Sequence, residues 1–263
     1  MISFDAQTGV LRVQLCAVVL LSATGMAQAE SCRAESFSGA SYAVCSFNLA
    51  KDRVRTFWRG NDGNPYRTFD ALAADLEAKG KSLRFAMNGG MYRGDLSPVG
   101  LYIEDGRMMV PPNTVTLTGA QSQIPNFYKK PNGVFYIGYI GEGRAGILET
   151  GRFLAEKPEA NFATQSGPML LINGKIHPAF IVNSTDRKPR DGVGLSSQNE
   201  IYFVITKSWV SFYDFARFFR DRLGCSNALF LDGGEAPGLY APELGRNDAP
   251  AHGGYGPIIA VSG

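Results

Sequence analysis

The chain has 263 residues, with 26 Lys and Arg against 24 Asp and Glu. A formal net charge of +2 lacks the basic excess of a nucleic-acid-coating protein, and a 44% hydrophobic fraction excludes general disorder. Two His residues argue against a His-rich metal site, and 31 glycines, about 12% against a usual ~7%, imply many tight turns and close backbone approaches.

Residues 1–29 read as a secretory signal peptide. Arg12 precedes an apolar run over 13–24, and Ala27-Gln28-Ala29 places small residues before a cleavage at Glu30. The run is shorter than the ~20 apolar residues of a spanning helix, and no later segment is apolar enough to span. The mature chain, residues 30–263, is expected in the periplasm or secreted, where disulfides persist. Cys16 leaves with the leader. Cys32 and Cys45 flank the turn Ser38-Gly39-Ala40 and are expected to pair. Cys225 reads as a buried free thiol, because a nucleophilic Cys wants a His partner and only His177 and His252 exist.

Tyr42–Leu49 and Arg53–Trp58 read as an antiparallel pair turning at Ala50-Lys51-Asp52. Thr68 caps a helix over Phe69–Lys79, with Phe69, Leu72, Ala73 and Leu76 on one face and Gly80 ending it. Leu83–Met87 is a short buried strand. Val99–Glu104 and Arg107–Val110 form a hairpin about Asp105-Gly106. Gly119–Lys130 is irregular, and Gly133–Tyr139 is a strand. Phe162–Gln165 and Met169–Ile172 flank Ser166-Gly167-Pro168, and Asn173-Gly174 turns into Lys175–Ile176. Asn183–Gly192 reads as a basic loop. Ile201–Thr206 is a buried strand, Ser211 caps a second helix over Phe212–Leu223, and Asn227–Leu231 is another buried strand. Ala241–Tyr255 reads as loop and Ile258–Val261 as the closing strand. The class is α+β: a single domain with a mixed, largely antiparallel β-sheet core and two main helices.

Two glycine clusters repeat one pattern. Leu83–Met87 runs into Asn88-Gly89-Gly90, and Asn227–Leu231 runs into Asp232-Gly233-Gly234. A buried strand aims a polar side chain, and glycine lets the backbone approach a ligand. The sequence contains no G-x-S-x-G elbow, Walker A loop, H-E-x-x-H or paired C-x-x-C. His177 and His252 read as structural or surface residues. No residue set has metal-ligand spacing, so no cofactor is expected; a divalent ion on Asp232 and backbone carbonyls is the alternative left open.

Six motifs stand in order: Asn88-Gly89-Gly90-Met91, Pro98-Val99-Gly100-Leu101, Pro131 to Phe135, Gln165 to Leu170, Arg190 to Gly194, and Leu231-Asp232-Gly233-Gly234. In this order they resemble the phosphodiester glycosidase family, over nearly the whole mature chain. The departure is Glu235-Ala236, where that family often has a small residue and Ser.

The resemblance implies hydrolysis of a sugar-1-phosphodiester, N-acetylglucosamine-linked in one family member, from envelope or scavenged glycans. The partner is then a small-molecule or glycan phosphodiester, with no nucleic acid. A phosphate leaving group wants cations and N–H donors more than a strong acid. Arg190 suits phosphate, and the N–H groups of Gly89, Gly90, Gly233 and Gly234 are candidate donors. Asp232 is the first choice for the carboxylate that meets the anomeric centre, with Glu235 and Asp191 as the other nearby acids. Asn88 is assigned to sugar hydroxyls or the N-acetyl group, and Gln165 and Ser166 to the cleft wall. The alternative is a non-catalytic envelope protein that binds phosphorylated glycans. A serine hydrolase built on Ser166 is a third reading.

Overall fold

A computed structural model describes residues 31–138 and 144–263. The signal peptide and Tyr139 lie outside the described residues.

Cys32–Phe37 (β1) and Ala40–Asn48 (β2) make a hairpin. Ser38 and Gly39 between them both have positive φ, +48° and +78°, which a two-residue turn matching strand twist needs. Cys32 faces Cys45 across this hairpin and the two are disulfide-bonded; Cys225 is buried and free. Val54–Phe57 is β3. Helix α1, Phe69–Ala78, starts where Thr68 Oγ1 accepts the Ala71 N–H. Leu83–Asn88 is β4, and Tyr102–Glu104 (β5) turns into Arg107–Val110 (β6). Gly133–Ile137 (β7) pairs with Ala145–Glu149 (β8), which runs into helix α2, Thr150–Glu156. Phe162–Ser166 is β9, and Met169–Ile172 (β10) turns at Asn173-Gly174 into Lys175–Ile176 (β11). Arg190–Leu195 is β12 and Glu200–Thr206 is β13. Ser211 Oγ accepts the Asp214 N–H and opens helix α3, Phe212–Arg217, which widens into a π-helical stretch over Phe218–Arg222. Asn227–Gly233 (β14), Leu239–Ala241 (β15), Arg246–Asn247 (β16) and Ile258–Ser262 (β17) complete the chain.

The strands form three sheets, antiparallel at every strand pairing among the described residues. One has the order β1-β2-β13-β12-β14-β10-β11, the second β16-β15-β4-β17-β3, and the third β6-β5-β9-β7-β8. Their inner faces close on one apolar core. Phe203 meets Phe47 of its own sheet, Phe85 of the second and Phe135 of the third, at ring distances of 6.2, 5.0 and 6.0 Å. Truncating such a buried ring costs about 3–5 kcal/mol. Each outer face is covered by one helix: Phe215 and Phe219 of the α3 segment, Leu72 and Leu76 of α1, and Phe153 of α2.

Four expectations change. β2 and β3 do not pair: β2 lies between β1 and β13, and β3 joins β17 in another sheet. Both edges of β2 are taken, so the turn at residues 50–52 carries the chain out of the sheet. The α+β single domain with a largely antiparallel sheet core is as expected; that core is divided into three sheets, and α2 is a helix beyond the two expected. Arg190 to Gly192 is not loop but the start of β12, a central strand. Gly192 and Gly194 of β12 serve helix packing. A Cβ there would meet Phe215 at 3.2 Å and Phe219 at 2.5 Å, so these glycines let the α3 segment lie close on the sheet.

Candidate active site

The three sheets meet where β4, β9 and β14 end and β12 begins. Thr164 Oγ1 donates to the Gly89 carbonyl at 2.7 Å, tying the third sheet to the second. Ser166 Oγ donates to the Leu231 carbonyl at 2.8 Å, tying the third to the first. Asn88, fully buried, lies against Asp191 and Asp232 and helps hold both carboxyls down. Its two amide atoms nevertheless lack a well-formed protein hydrogen bond, as does Asp191 Oδ2.

A bulge decides which way Asp232 points. Asp191 faces Asp232, but the next residue, Gly192, faces Phe230, so β14 carries Leu231 as an extra residue. An extra residue puts two successive side chains on one side of the strand. Leu231 packs in the central core, and Asp232 turns inward beside Asp191 instead of outward toward α3. The Asp232 N–H donates to Asp191 Oδ1 at 2.6 Å, and the Gly233 N–H donates to Asp232 Oδ1 at 2.8 Å.

The two acids titrate apart. Burial first, then the Asp232 charge, pushes Asp191 well above the usual carboxylate range. Burial raises Asp232 to about 6, against the pull of the Gly233 N–H, Asn88 and His252. At neutral pH Asp232 is ionised, and that charge together with burial biases Asp191 toward its neutral form. Asp191 is enclosed. Asp232 opens onto a cavity of about 220 Å³ bordered by Tyr92, Arg93, Leu96, Ala236 and His252. Burial and the charges of Asp232 and Asp191 push the Tyr92 hydroxyl up to about 12. Arg93 braces its own loop through the carbonyls of Pro98 and Val99, at 2.5 and 3.1 Å. Among the described residues no three His, Cys, Asp or Glu side chains cluster as a metal site.

Asn88, Asp232, Gly89, Gly90 and Ser166 therefore come together. Gly90, at φ +133°, lies so close to β9 that an added Cβ would sit 3.0 Å from Thr164 Oγ1. Other expected roles do not survive. Arg190 is one residue from Asp191, so alternation sends it to the opposite face. There its Nε donates to the Val210 carbonyl at 3.0 Å and its guanidinium lies 3.6 Å over Phe212, 1% exposed. Gln165 likewise faces away from its neighbours Thr164 and Ser166. Its Oε1 accepts from the N–H groups of Leu101 and Asn113, both at 2.9 Å, and its Nε2 donates to the Asn113 carbonyl, so it fixes a loop. The Gly89 and Gly234 N–H groups are spent on the Pro257 and Pro189 carbonyls, and that of Gly233 on Asp232, because buried amides need partners. Glu235 is exposed at the rim, 3.7 Å from His252 Nε2. Ser166 is no nucleophile: its hydroxyl is buried on the Leu231 carbonyl, and His177 Nε2 bonds the Lys130 carbonyl.

Sequence reading undervalued Asp191, Tyr92, Arg93, His252 and Thr164. A signal for Asp191 existed. Arg190 and Asp191 in a strand cannot both face one cleft, but the charged composition of residues 183–192 reads as loop.

Three antiparallel sheets around one core make a fold already seen in solved structures. The catalytic domain of zebrafish N-acetylglucosamine-1-phosphodiester alpha-N-acetylglucosaminidase, auto-inhibited by its pro-peptide, superposes with a TM-score of 0.58 at 15% identity, covering 88% of this chain and 81% of that one. A putative exported protein of Burkholderia pseudomallei K96243 gives 0.51 at 13% identity, covering 84% and 74%. These likenesses are of fold. The chain belongs to the phosphodiester glycosidase family, whose profile matches residues 81–258. It is also 37% identical over 186 residues to the uncharacterized protein YigE of Escherichia coli K12, covering 71% of this chain and 69% of that protein.

Proposed function

We propose that the protein is an exported hydrolase that cleaves the glycosidic bond of a sugar-1-phosphodiester, with N-acetylglucosamine as the first sugar to test. The observation that carries this reading is the acid pair at the sheet junction: Asp232 opens onto the cavity, while its enclosed neighbour Asp191 accepts the Asp232 N–H at 2.6 Å behind it. The Cys32–Cys45 disulfide supports export, since such bonds persist in oxidising compartments. No helix among the described residues is long and apolar enough to cross a membrane.

The chemistry needs one carboxylate at the anomeric carbon. Asp232 takes a proton from water as the water oxygen bonds to that carbon, and the bond from carbon to phosphate oxygen breaks. The electron pair leaves on a phosphate monoester, which is stable as an anion and needs no proton from an acid. Asp191 therefore stands behind Asp232, not across the substrate. It accepts the Asp232 N–H and keeps the carboxylate in place. Asn88 orients both. Arg93 at the rim supplies the cation for the phosphate, and His252 adds a ring N–H donor. Recognition of phosphate is local, as the near-zero net charge requires.

The test is release of free sugar from UDP-N-acetylglucosamine or a sugar-1-phosphate methyl diester by the purified chain. Release that disappears in Asp232→Asn supports the reading. Equal release by that variant sinks the role of Asp232. Tight binding without release would make the protein a glycan-binding one.

A further inference from the structure

On the outer face of the seven-stranded sheet, away from the acids, lies a second cavity of about 230 Å³. Its wall includes Phe180, Ile181, Phe212 and Tyr213, with Lys129 and Asp186 at its polar edge. Phe212 stacks on Phe180, centroids 5.0 Å apart and planes 13° from parallel. One cation, the half-buried Lys129, lines this wall, and a second, the buried Arg190, lies behind Phe212. The Arg190 guanidinium lies 3.6 Å over the Phe212 ring, and Lys129 Nζ lies 5.7 Å from the same ring.

Neither cation has an acid. Arg190, buried, donates to the backbone carbonyls of Val210 and Asp186. Lys129 Nζ donates to Asn126 Oδ1 at 2.9 Å. Among the described residues neither forms an ion pair with a carboxylate. Asp186, the nearest acid, turns outward to Lys188 at 3.8 Å with its side chain 58% exposed. His177, beneath Phe180, is fixed neutral in that arrangement: Nδ1 accepts the Ala179 N–H, which leaves Nε2 to donate to the Lys130 carbonyl. Burial and the Arg190 and Lys188 charges push the Lys129 ammonium below its ordinary range, opposed by Asp186.

A buried cation without a counter-charge costs free energy that an incoming anion recovers. Stacked rings beside it favour a flat or apolar body. The volume is below the ~300 Å³ of a usual ligand pocket, so the body is about one ring in size. We propose that this cavity is a second binding site, separate from the Asp232 cleft, for a small organic anion: a carboxylate, sulfonate or phosphate monoester on an aromatic or short aliphatic group. The anion sits at Lys129 Nζ, with Arg190 acting through its field from below.

Phenyl phosphate is the probe, titrated calorimetrically into the full chain. The expected result is saturable binding, at least about tenfold weaker for inorganic phosphate and for phenol. Lys129→Met, which keeps the aliphatic stem, should weaken binding by about tenfold and leave sugar release unchanged, while Lys129→Arg restores affinity. Asp232→Asn should bind the probe as the parent does. No binding up to ~10 mM, or undiminished binding by Lys129→Met, overturns the proposal. Loss of binding in Asp232→Asn overturns it too, because it assigns the probe to the cleft. None of these outcomes depends on whether the chain hydrolyses a phosphodiester.

Discussion

The two faces of the β12–β14 pair carry opposite charge. On the inner face Asp191 and Asp232 sit together, and no Lys or Arg pairs with either among the described residues. On the outer face Arg190 and Lys129 sit against Phe212, and no acid pairs with either. Arg190 and Asp191 are adjacent in sequence, yet the sheet holds them apart, so neither neutralises the other. The lesson concerns energetics. Each face keeps an unbalanced charge that makes folding harder and makes the surface ready for a ligand of the opposite sign or a reaction that uses the charge. The faces differ in what the charge touches. Asp232 reaches a cavity, whereas the Arg190 guanidinium is enclosed and works as packing.

The largest expected effect is on turnover. Asp232→Asn should lower sugar release by roughly 10³-fold, in steady-state assays. The same variant should be more stable than the parent at pH 8. Asp232 is raised to about 6 in the folded chain, so the stability it contributes is complete below its unfolded value of about 4 and is lost as pH rises through 6. The gain is on the order of 3 kcal/mol above pH 7 and vanishes below about pH 4, in urea melts across that range. A variant no more stable than the parent at pH 8 would break the inner half of the comparison.

Arg190→Ala should do the reverse. Removing a ring-stacked guanidinium that bonds two carbonyls should cost about 2–4 kcal/mol. That is a drop of roughly 5–12 °C in Tm by calorimetry. Arg190→Met, which refills the space, should recover most of the loss. Loss of turnover at unchanged Tm would return Arg190 to the cleft.

The pH profile sharpens the roles within the acid pair. kcat/KM should rise tenfold per pH unit and level off near pH 6, as Asp232 ionises. Asp191→Asn should leave that limb in place, since Asp232 is the acid that opens onto the cavity, and should cost less than about tenfold in rate. A limb moved by more than about one pH unit would mean that Asp191 carries charge. Glu235→Gln should matter least. It removes an exposed contact to His252 and should change KM by no more than a few-fold, under ~1 kcal/mol.

Much of the architecture was legible locally. Thr68 and Ser211 announced their helices, because a hydroxyl that accepts an early N–H acts within four residues. Asp105-Gly106 and Asn173-Gly174 announced their hairpins through their tolerance of positive φ. The paired strand ends at Asn88 and Asp232 pointed to the candidate site, and the fold brings both side chains together there. Residues 145–156 were missed because a five-residue strand and a seven-residue helix carry too few periods to be read. The Cys32–Cys45 pair was read correctly because both strands of its hairpin lie within one short segment.

By itself the sequence determined caps, turns, buried strands, the disulfide and the family motifs, since each is a property of a short window. Only the tertiary structure decided which side chains share the cleft. That choice rests on strand phase. Taking residues 190–192 into a central strand sends Arg190 to the helix side and Asp191 to the core, and one extra residue at Leu231 turns Asp232 to meet it. A shift of one residue exchanges the two faces of a strand, and its register is set by partners far away in the chain.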